Sequence, residues 1–261
     1  MSKNFEGSCG MNHPQSYSVA VIADIHGNVA ALNAVLEDLK SQPYDSLVVA
    51  GDLVLSGPRP AESLDVIQNL GAPTIYGNTD LLVFDEQYSG ERLDWVREKL
   101  GTDGLSYLKG LPFEHRITPP GGQSPEDDLL IVHATPADVT GVLVLQPVPF
   151  SLRTVTPEEE ARTLLGDAKA NLIVAGHLHY ASCGVPCGQR YSIIDSVGFP
   201  FDGDHQVGYA SVWWDGQEWH VENHRLSYDY HTVAGDLRSC GAPFGELSAQ
   251  RILQARFRPV M

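Results

Sequence analysis

The chain has 261 residues, of which 43% are apolar and 19% charged, and its formal net charge is −16. The length permits one or two domains, and the acidic balance argues against long nucleic acid partners, because such a surface repels phosphates. No apolar run reaches the ~18 residues of a membrane span, and residues 1–16 lack the apolar centre of a signal peptide. We therefore expect a cytoplasmic protein without a membrane partner.

The first part of the chain alternates apolar runs with helical patterns. A strand at Val19–Ile22 leads into Asp24 and His26, and an amphipathic helix follows from Asn28 to Lys40. A second apolar run, Ser46–Ala50, ends at Asp52. This βαβ pattern predicts two parallel strands whose carboxyl ends bring Asp24 and Asp52 together.

Two converging carboxylates repel each other unless a cation lies between them, which favours a metal site. The alternative is that Asp24 or Asn28 caps the helix and that Asp52 is only a turn residue.

Next comes a loop containing Arg59, which either binds a substrate phosphate or is an exposed surface residue. A helix is predicted at Pro60–Leu70, with Gly71 after its end. A short strand over residues 73–76 then delivers Asn78, whose carbonyl oxygen can bind a metal, although such a turn is usually only a turn.

Two later apolar runs also end in histidine. The strand Leu129–Val132 precedes His133, and a strand over residues 171–175 precedes His177 and His179. Residues 134–152 are predicted to form a loop or lid over the site, and Thr156 to cap a helix that begins at Pro157.

Strand-like runs dominate residues 191–226, and Asp215-Gly216 indicates a hairpin turn. We divide the chain into a flexible N-terminal tail (1–16), one domain (17–230) and a C-terminal tail (231–261). Within that tail, residues 252–257 either pack as a terminal helix or contact a partner, and a homo-oligomer is an open expectation.

The polar residues at these strand ends form a candidate metal site. Its seven members are Asp24, His26, Asp52, Asn78, His133, His177 and His179. All donors are nitrogen or oxygen, which favours Mn, Fe, Zn, Co or Ni, and we expect manganese first. Seven ligands are too many for one tetrahedral ion and fit two ions that share a bridging carboxylate.

In these blocks the sequence resembles the calcineurin-like metallophosphoesterases. The matching motifs are Asp24-Ile-His26, Gly51-Asp52, Gly77-Asn78, His133 and Gly176-His177-Leu-His179, which span most of the chain. Two further blocks, residues 51–58 and 196–200, resemble the small bacterial and archaeal phosphodiesterase branch.

The resemblance implies an α/β fold in which helices flank a two-sheet β-sandwich, in four α/β/β/α layers. It implies that Asp24, His26 and His179 hold one metal, that Asn78, His133 and His177 hold a second, and that Asp52 bridges them. A metal-bridging water or hydroxide would then attack phosphorus in line. We expect Asp52, Asn78 and His133 to act in catalysis, and Arg59 and Asn78 to contact the substrate.

The chain departs from the family pattern at two positions. Many members carry histidine where this chain has Thr79, and a threonine hydroxyl is not a general acid near neutral pH. We therefore expect good leaving groups, such as aryl or nucleoside phosphates, to be preferred. Relatives often carry arginine where Phe201 stands, so a phosphate contact is either missing or supplied by Arg59.

The prediction is therefore a dinuclear phosphoesterase acting on a small phosphodiester or phosphomonoester. The alternative is a metal-binding scaffold or protein-interaction module of the same fold with little or no hydrolase activity. All seven ligand positions hold competent side chains, which favours the enzyme.

Overall fold

The computed structural model describes residues 17–143 and 156–260. Its strands are β1 (Tyr17–Ile22), β2 (Ser46–Ala50), β3 (Thr74–Ile75), β4 (Glu114–Ile117), β5 (Leu129–Val132), β6 (Leu172–Ala175), β7 (Ser182–Gly184), β8 (Tyr191–Ile193), β9 (Val207–Trp214) and β10 (Trp219–Leu226). Its helices are α1 (Val29–Leu39), α2 (Pro60–Leu70), α3 (Asn78–Phe84), α4 (Glu91–Lys109), α5 (Glu158–Leu165), α6 (Tyr230–Ser239) and α7 (Gly245–Gln254). The predicted N-terminal tail and residues 144–152 of the predicted loop or lid lie outside the described residues.

The strands form two mixed sheets of five strands each. The first has the order β10-β9-β1-β2-β3, with β1, β2 and β3 parallel, as the βαβ pattern predicts. The second has the order β4-β5-β6-β8-β7, with β5, β6 and β8 parallel. Because the carboxyl ends of parallel strands lie at one edge of the sheet, the residues that follow β1, β2 and β3 lie close together there.

Alternation along the strands separates the apolar residues into layers. Val19 of β1 and Leu129 of β5 lie in the cluster between the two sheets. Ile22 faces the other way, into a cluster shared with α1, α2, α4, α6 and α7. Leu130 joins a third cluster with Leu165 of α5. The four layers, helices on either side of two packed sheets, confirm the predicted α/β/β/α sandwich.

Local signals place several helix ends correctly and one incorrectly. The helix α2 spans the predicted residues, and Gly71 ends it in the left-handed conformation, with φ 60°. The predicted start of α5 is wrong: Pro157 has an extended ψ of 145° and lies outside the helix, which begins at Glu158. Thr156 does not cap it, because its hydroxyl donates to the carbonyl of Val142 at 2.8 Å.

The C-terminal part of the chain forms two helices rather than one short segment. Val233 and Leu237 of α6, and Ala249 and Ile252 of α7, are buried in the same cluster as α1 and α2. The boundary between a domain at 17–230 and a tail at 231–261 stays a prediction. None of the helices in residues 17–143 and 156–260 is long and apolar enough to cross a bilayer.

Candidate metal centre

The structure brings the seven predicted ligand residues together where strands of both sheets end. Asp24 and His26 follow β1, Asp52 follows β2, and Asn78 begins α3 just after β3. From the second sheet, His133 follows β5, and His177 and His179 follow β6. Metal binding by this group stays a prediction.

Most of these residues have a strained backbone. Five of them lie in the left-handed region: Asp24 (φ 56°), His26 (53°), Asp52 (55°), His177 (72°) and His179 (63°). Residues with a side chain rarely adopt this conformation, and each instance costs on the order of 1–3 kcal/mol. Strain of this kind clusters at functional sites, because it turns side chains toward a common point that regular strands would not reach.

One half of the group, which we call the first half-site, consists of Asp24, His26 and His179. The Nε2 atoms of the two histidines lie 3.0 Å apart, and His179 Nε2 lies 3.6 Å from Asp24 Oδ1. These three residues and Asp52 are all buried. Each offers one ligand atom, and the four atoms lie within 4.8 Å of one another. That compactness suits a single ion held by imidazole nitrogens and carboxylate oxygens.

The hydrogen bonds of the first half-site show that a cation fits there. His26 Nδ1 lies 2.7 Å from the carbonyl of Leu55, and His179 Nδ1 lies 2.6 Å from the carbonyl of Phe199. A carbonyl only accepts, so each Nδ1 carries the proton and each neutral ring directs its Nε2 lone pair inward. Two lone pairs facing each other repel, and a metal ion between them removes that repulsion.

The second half-site consists of Asn78, His133 and His177. Asn78 Oδ1 lies 3.0 Å from His133 Nε2 and 2.9 Å from His177 Nδ1. The other nitrogen of His133 lies 2.9 Å from the carbonyl of Ala50, so His133 also points an acceptor inward when it is neutral. His177 and Asn78 are partly exposed, unlike the three residues of the first half-site.

Asp52 lies between the two half-sites and faces both. Its Oδ2 is 3.4 Å from His26 Nε2, and its Oδ1 is 3.4 Å from His133 Nε2. Oδ1 also accepts the backbone N–H of Thr79 at 2.8 Å, which fixes the carboxylate. One oxygen toward each half-site suits a carboxylate that bridges two ions.

Burial and crowding shift the pKa values of these groups in opposite directions. Burial, together with the nearby Asp52 carboxylate, raises the pKa of Asp24 to about 8, although His133 acts in the opposite direction. Burial lowers the pKa of His179 well below its usual range, and it lowers the pKa of His177 to about 4. Burial alone would also lower the pKa of His133, but the Asp52 carboxylate raises it to about 9. In the metal-free protein, protons on Asp24 and His133 therefore supply positive charge that metal ions would otherwise provide.

Glycine allows the backbone to approach the carboxylates. A Cβ atom on Gly77 would lie 2.2 Å from Asp52 Oδ1, and one on Gly176 would lie 2.7 Å from Asp24 Oδ2. Any side chain at either position would displace a candidate ligand, so both glycines shape the site.

Two residues that hold the site in place were not identified from the sequence. Asp80 is buried and accepts the backbone N–H groups of Gly77 and Leu53, both at 2.9 Å, and so ties the loops after β2 and β3 together. Ser196 donates to the carbonyl of Asp24 at 2.9 Å and accepts from the N–H of Phe199. Asp80 closes the Gly77–Asp80 turn, and a charged residue in a turn that follows a buried strand is the signal that could have revealed it.

The structure resolves which residue caps α1 and shows where the Arg59 side chain lies. Asn28 caps α1 by accepting the N–H of Ala31 at 3.2 Å, whereas Asp24 accepts the N–H of His177 and caps nothing. Arg59 is half exposed and donates to Asp236 at 2.9 Å. Its contact with substrate stays a prediction.

Similar proteins place the chain in a family. Residues 17–181, more than half of the chain, match the family model described as calcineurin-like phosphoesterase. An uncharacterised protein of Methanocaldococcus jannaschii is 33% identical over 101 residues, which are 36% of this chain and 42% of that protein. A symmetrical bis(5'-nucleosyl)-tetraphosphatase of Thioalkalivibrio sulfidiphilus is 27% identical over 175 residues, 60% of this chain and 65% of that enzyme. The chain thus spans less than two thirds of the length of either curated relative.

A solved structure agrees on the fold. The metallophosphoesterase of Sphaerobacter thermophilus aligns with a TM-score of 0.70 at 23% identity, and the alignment covers 92% of this chain and 99% of that one. Together with the family match and the strand-end residues above, this likeness leads to one conclusion: the chain belongs to the calcineurin-like phosphoesterase family.

Proposed function

We propose that this protein is a metal-dependent phosphoesterase that hydrolyses a small phosphodiester or phosphomonoester with two divalent transition-metal ions, manganese first among them. The observation that carries the proposal is the inward direction of the histidine lone pairs, set by the carbonyls of Leu55, Phe199 and Ala50. The name of the Thioalkalivibrio relative supports nucleotides as the substrate class.

Each residue of the candidate centre has a distinct role in the proposed reaction. Bound ions supply activation of a water molecule and neutralisation of charge on the phosphoryl oxygens. The first half-site would hold one ion, the second half-site the other, and Asp52 would be shared between them. The N–H of Thr79 orients Asp52, and the carbonyls of Leu55, Phe199 and Ala50 keep the proton of each histidine away from the ions.

A scaffold of the same fold would not need this arrangement. Five strained backbones and three inward-facing histidine nitrogens cost free energy that a protein–protein surface gains nothing from keeping. The donor set therefore favours the enzyme over the interaction module.

The test is hydrolysis of bis-p-nitrophenyl phosphate and p-nitrophenyl phosphate by metal-stripped protein, with Mn, Ni, Zn or Mg added back. We expect metal-restored activity that falls by at least about 100-fold in Asp52→Asn, comparable to the loss of one key electrostatic contact in an active site. Asp65→Asn is the matched control, because Asp65 is exposed on α2 and undergoes the same charge change. Full activity in Asp52→Asn, or inactivity of the wild type with every metal, would overturn the proposal.

The ratio between substrates tests the role of Thr79. Since a threonine hydroxyl does not protonate a leaving group near neutral pH, we expect aryl diesters to be cleaved faster than alkyl diesters. Equal rates on both would show that another group supplies the proton.

A further inference from the structure

Beside the candidate metal centre, aromatic rings in contact connect His179 to the C-terminal segment, residues 251–258. The ring of Phe201 stacks on His179 with centroids 4.3 Å apart and planes 4° apart. Phe257 contacts Phe201 at 5.4 Å, and the guanidinium of Arg251 lies 4.7 Å from the centroid of the Phe257 ring. We call Arg251 and Phe257 the C-terminal rim. Direct ring contacts thus connect the rim to a ligand of the first half-site.

Arg251 has unused hydrogen-bonding capacity. Its Nε donates to the carbonyl of Phe257 at 2.9 Å, while its two terminal nitrogens contact no carboxylate or carbonyl among residues 17–143 and 156–260. Other arginines are engaged: Arg59 pairs with Asp236, and Arg238 with Glu246 at 2.8 Å. The guanidinium of Arg251 is therefore oriented but not neutralised.

The arginines without a carboxylate partner are not scattered over the molecule. Within the described part of the chain they are Arg92, Arg251, Arg256 and Arg258. Three of these belong to the C-terminal segment, and the charge of Arg92 acts on Arg251: burial lowers the pKa of Arg251, and Arg92 lowers it further. In a chain of net charge −16, this is a local excess of positive charge that an anion would relieve.

This positive charge lies on the side of the metal centre. Phe201 stacks on the candidate ligand His179, Phe257 contacts Phe201, and the guanidinium of Arg251 lies over the ring of Phe257. The rim therefore adjoins the candidate site rather than a remote surface.

Phe257 complements the charge with an open aromatic surface. Its side chain is 54% exposed, although Phe201 and Arg251 hold the ring in place. Nucleobases stack on exposed aromatic rings, and arginine binds phosphate through two parallel N–H groups. An ordered ring next to an unpaired guanidinium presents both kinds of contact together.

We propose that the C-terminal rim binds the part of a nucleoside polyphosphate that lies beyond the phosphate held at the metal centre, with Arg251 contacting a second phosphate and Phe257 stacking on the base. The inference rests on the proposed function for the identity of the metal centre. The alternative is that Arg251 only holds the carbonyl of Phe257 in place.

The experiment is calorimetric titration of manganese-loaded protein with ADP, which carries a base and two phosphates, and with inorganic phosphate, which carries neither a base nor a second phosphate. We expect Arg251→Met to weaken ADP binding by about tenfold, which corresponds to about 1.4 kcal/mol, and Phe257→Ala to weaken it by a similar factor. Binding of inorganic phosphate should be unchanged in both. Arg238→Met is the matched control, because it removes an arginine of the same helix pair that already has a partner.

Two further variants separate recognition from a structural role. Arg251→Lys keeps the charge and should retain part of the ADP affinity, and Phe257→Trp keeps a stacking surface and should retain most of it. Thermal unfolding of each variant shows whether the fold is intact. Equal ADP affinity in the wild type, Arg251→Met and Phe257→Ala would overturn the inference, as would ADP binding no tighter than inorganic phosphate.

Failure of the inference is distinguishable from failure of the proposed function. The function is measured with bis-p-nitrophenyl phosphate, which offers the rim neither a base nor a second phosphate. Hydrolysis of that compound together with rim-independent ADP binding overturns the inference alone. Rim-dependent ADP binding without hydrolysis of any phosphoester supports the rim and overturns the function.

Discussion

The two half-sites of the metal centre differ in how firmly the protein holds them. In the first half-site, both histidines have their outer nitrogens fixed by carbonyls, and Asp24, His26 and His179 are all buried. In the second half-site, His133 is fixed in the same way, whereas His177, which contacts Asn78 and the backbone of Thr140, is partly exposed. Since ligands that are oriented in advance lose less entropy on binding, the first half-site should bind its ion more tightly.

Asp52, the residue predicted to bridge two ions, lies between two unlike half-sites. Asp52 is held by the N–H of Thr79 and faces a rigid half-site with one oxygen and a more open half-site with the other. Asn78 and His177 form the partly exposed side of the candidate centre, so a substrate of the proposed enzyme would approach bound ions from there. The first half-site can be rigid while the second is accessible to solvent, because different loops contribute their residues.

The largest expected effect separates the half-sites directly. His179→Asn should weaken binding of the more tightly held manganese ion by at least about 100-fold. Loss of even a residue that only hydrogen-bonds to a metal ligand typically costs about 10–100-fold in metal affinity. His177→Asn should mainly weaken the second ion. Competition with a chelator measures both constants, and His231→Asn, at an exposed position, is the control. If His177→Asn weakened the tighter ion as much as His179→Asn, the comparison would be wrong.

A smaller effect is expected from the residues that support the first half-site. Arg225 pairs with Asp195 at 2.6 Å, and Asp195 also accepts the N–H of Ala181, just after His179. Arg225→Met leaves the largely buried Asp195 without its cation and should lower the free energy of unfolding by about 2 kcal/mol, less than for a fully buried pair because Arg225 is partly exposed.

Denaturant unfolding of metal-free protein measures this loss. Arg162→Met is the matched control, because Arg162 and its partner Glu158 are both exposed and solvent screens their ion pair, so its loss should leave the free energy of unfolding nearly unchanged. The affinity for the more tightly bound manganese ion should fall in Arg225→Met and stay unchanged in Arg162→Met. Equal stability of the two variants would contradict a supporting role for Asp195.

The strand ends of the site were predictable because a strong local pattern repeats. The apolar run at Ser46–Ala50 coincides with β2, and the run at Leu129–Val132 coincides with β5. Parallel pairing then brings Asp24 and Asp52 to one edge, whatever the rest of the chain does. The contact between His26 and His179, 153 positions apart, could be expected only from the family resemblance.

The supporting contacts could not be predicted from the sequence. The carbonyls of Leu55 and Phe199 belong to apolar residues whose side chains carry no sign of that role. Arg59 stands in a loop near the site and looks as suitable for phosphate as Arg251 does. Only packing shows that Asp236 engages Arg59 while Arg251 keeps its terminal nitrogens unpaired within the described residues.

Metal affinity should depend on pH through both half-sites. Burial raises the pKa of Asp24, in the first half-site, to about 8, and Asp52 raises the pKa of His133, in the second, to about 9 despite its burial. Both protons must leave before an ion binds, so affinity should rise with pH between about 6 and 8, by about tenfold per unit for each proton released.

Titrations in buffers of different ionisation enthalpy count the protons released by each ion. We expect about one from each half-site at pH 7. The same shifts make the metal-free native state bind more protons than the unfolded chain, so its stability should fall from pH 7 to 9 while that of the metal-bound protein changes less. Affinity that is constant from pH 6 to 8 would show that Asp24 and His133 are already deprotonated without metal.

The smallest expected effect concerns Thr79, whose backbone but not side chain holds Asp52. The hydroxyl of Thr79 is buried and has no hydrogen-bond partner among the described residues. Thr79→Val keeps the N–H and the shape and removes the unpaired hydroxyl, so the free energy of unfolding should stay the same or rise by up to about 1 kcal/mol. Thr135→Val is the matched control, because the Thr135 hydroxyl donates to the carbonyl of Asp138 at 2.8 Å and accepts its N–H, and its loss should destabilise. If Thr79→Val weakens both manganese constants, the side chain, and not only the N–H, orients Asp52 between the two half-sites.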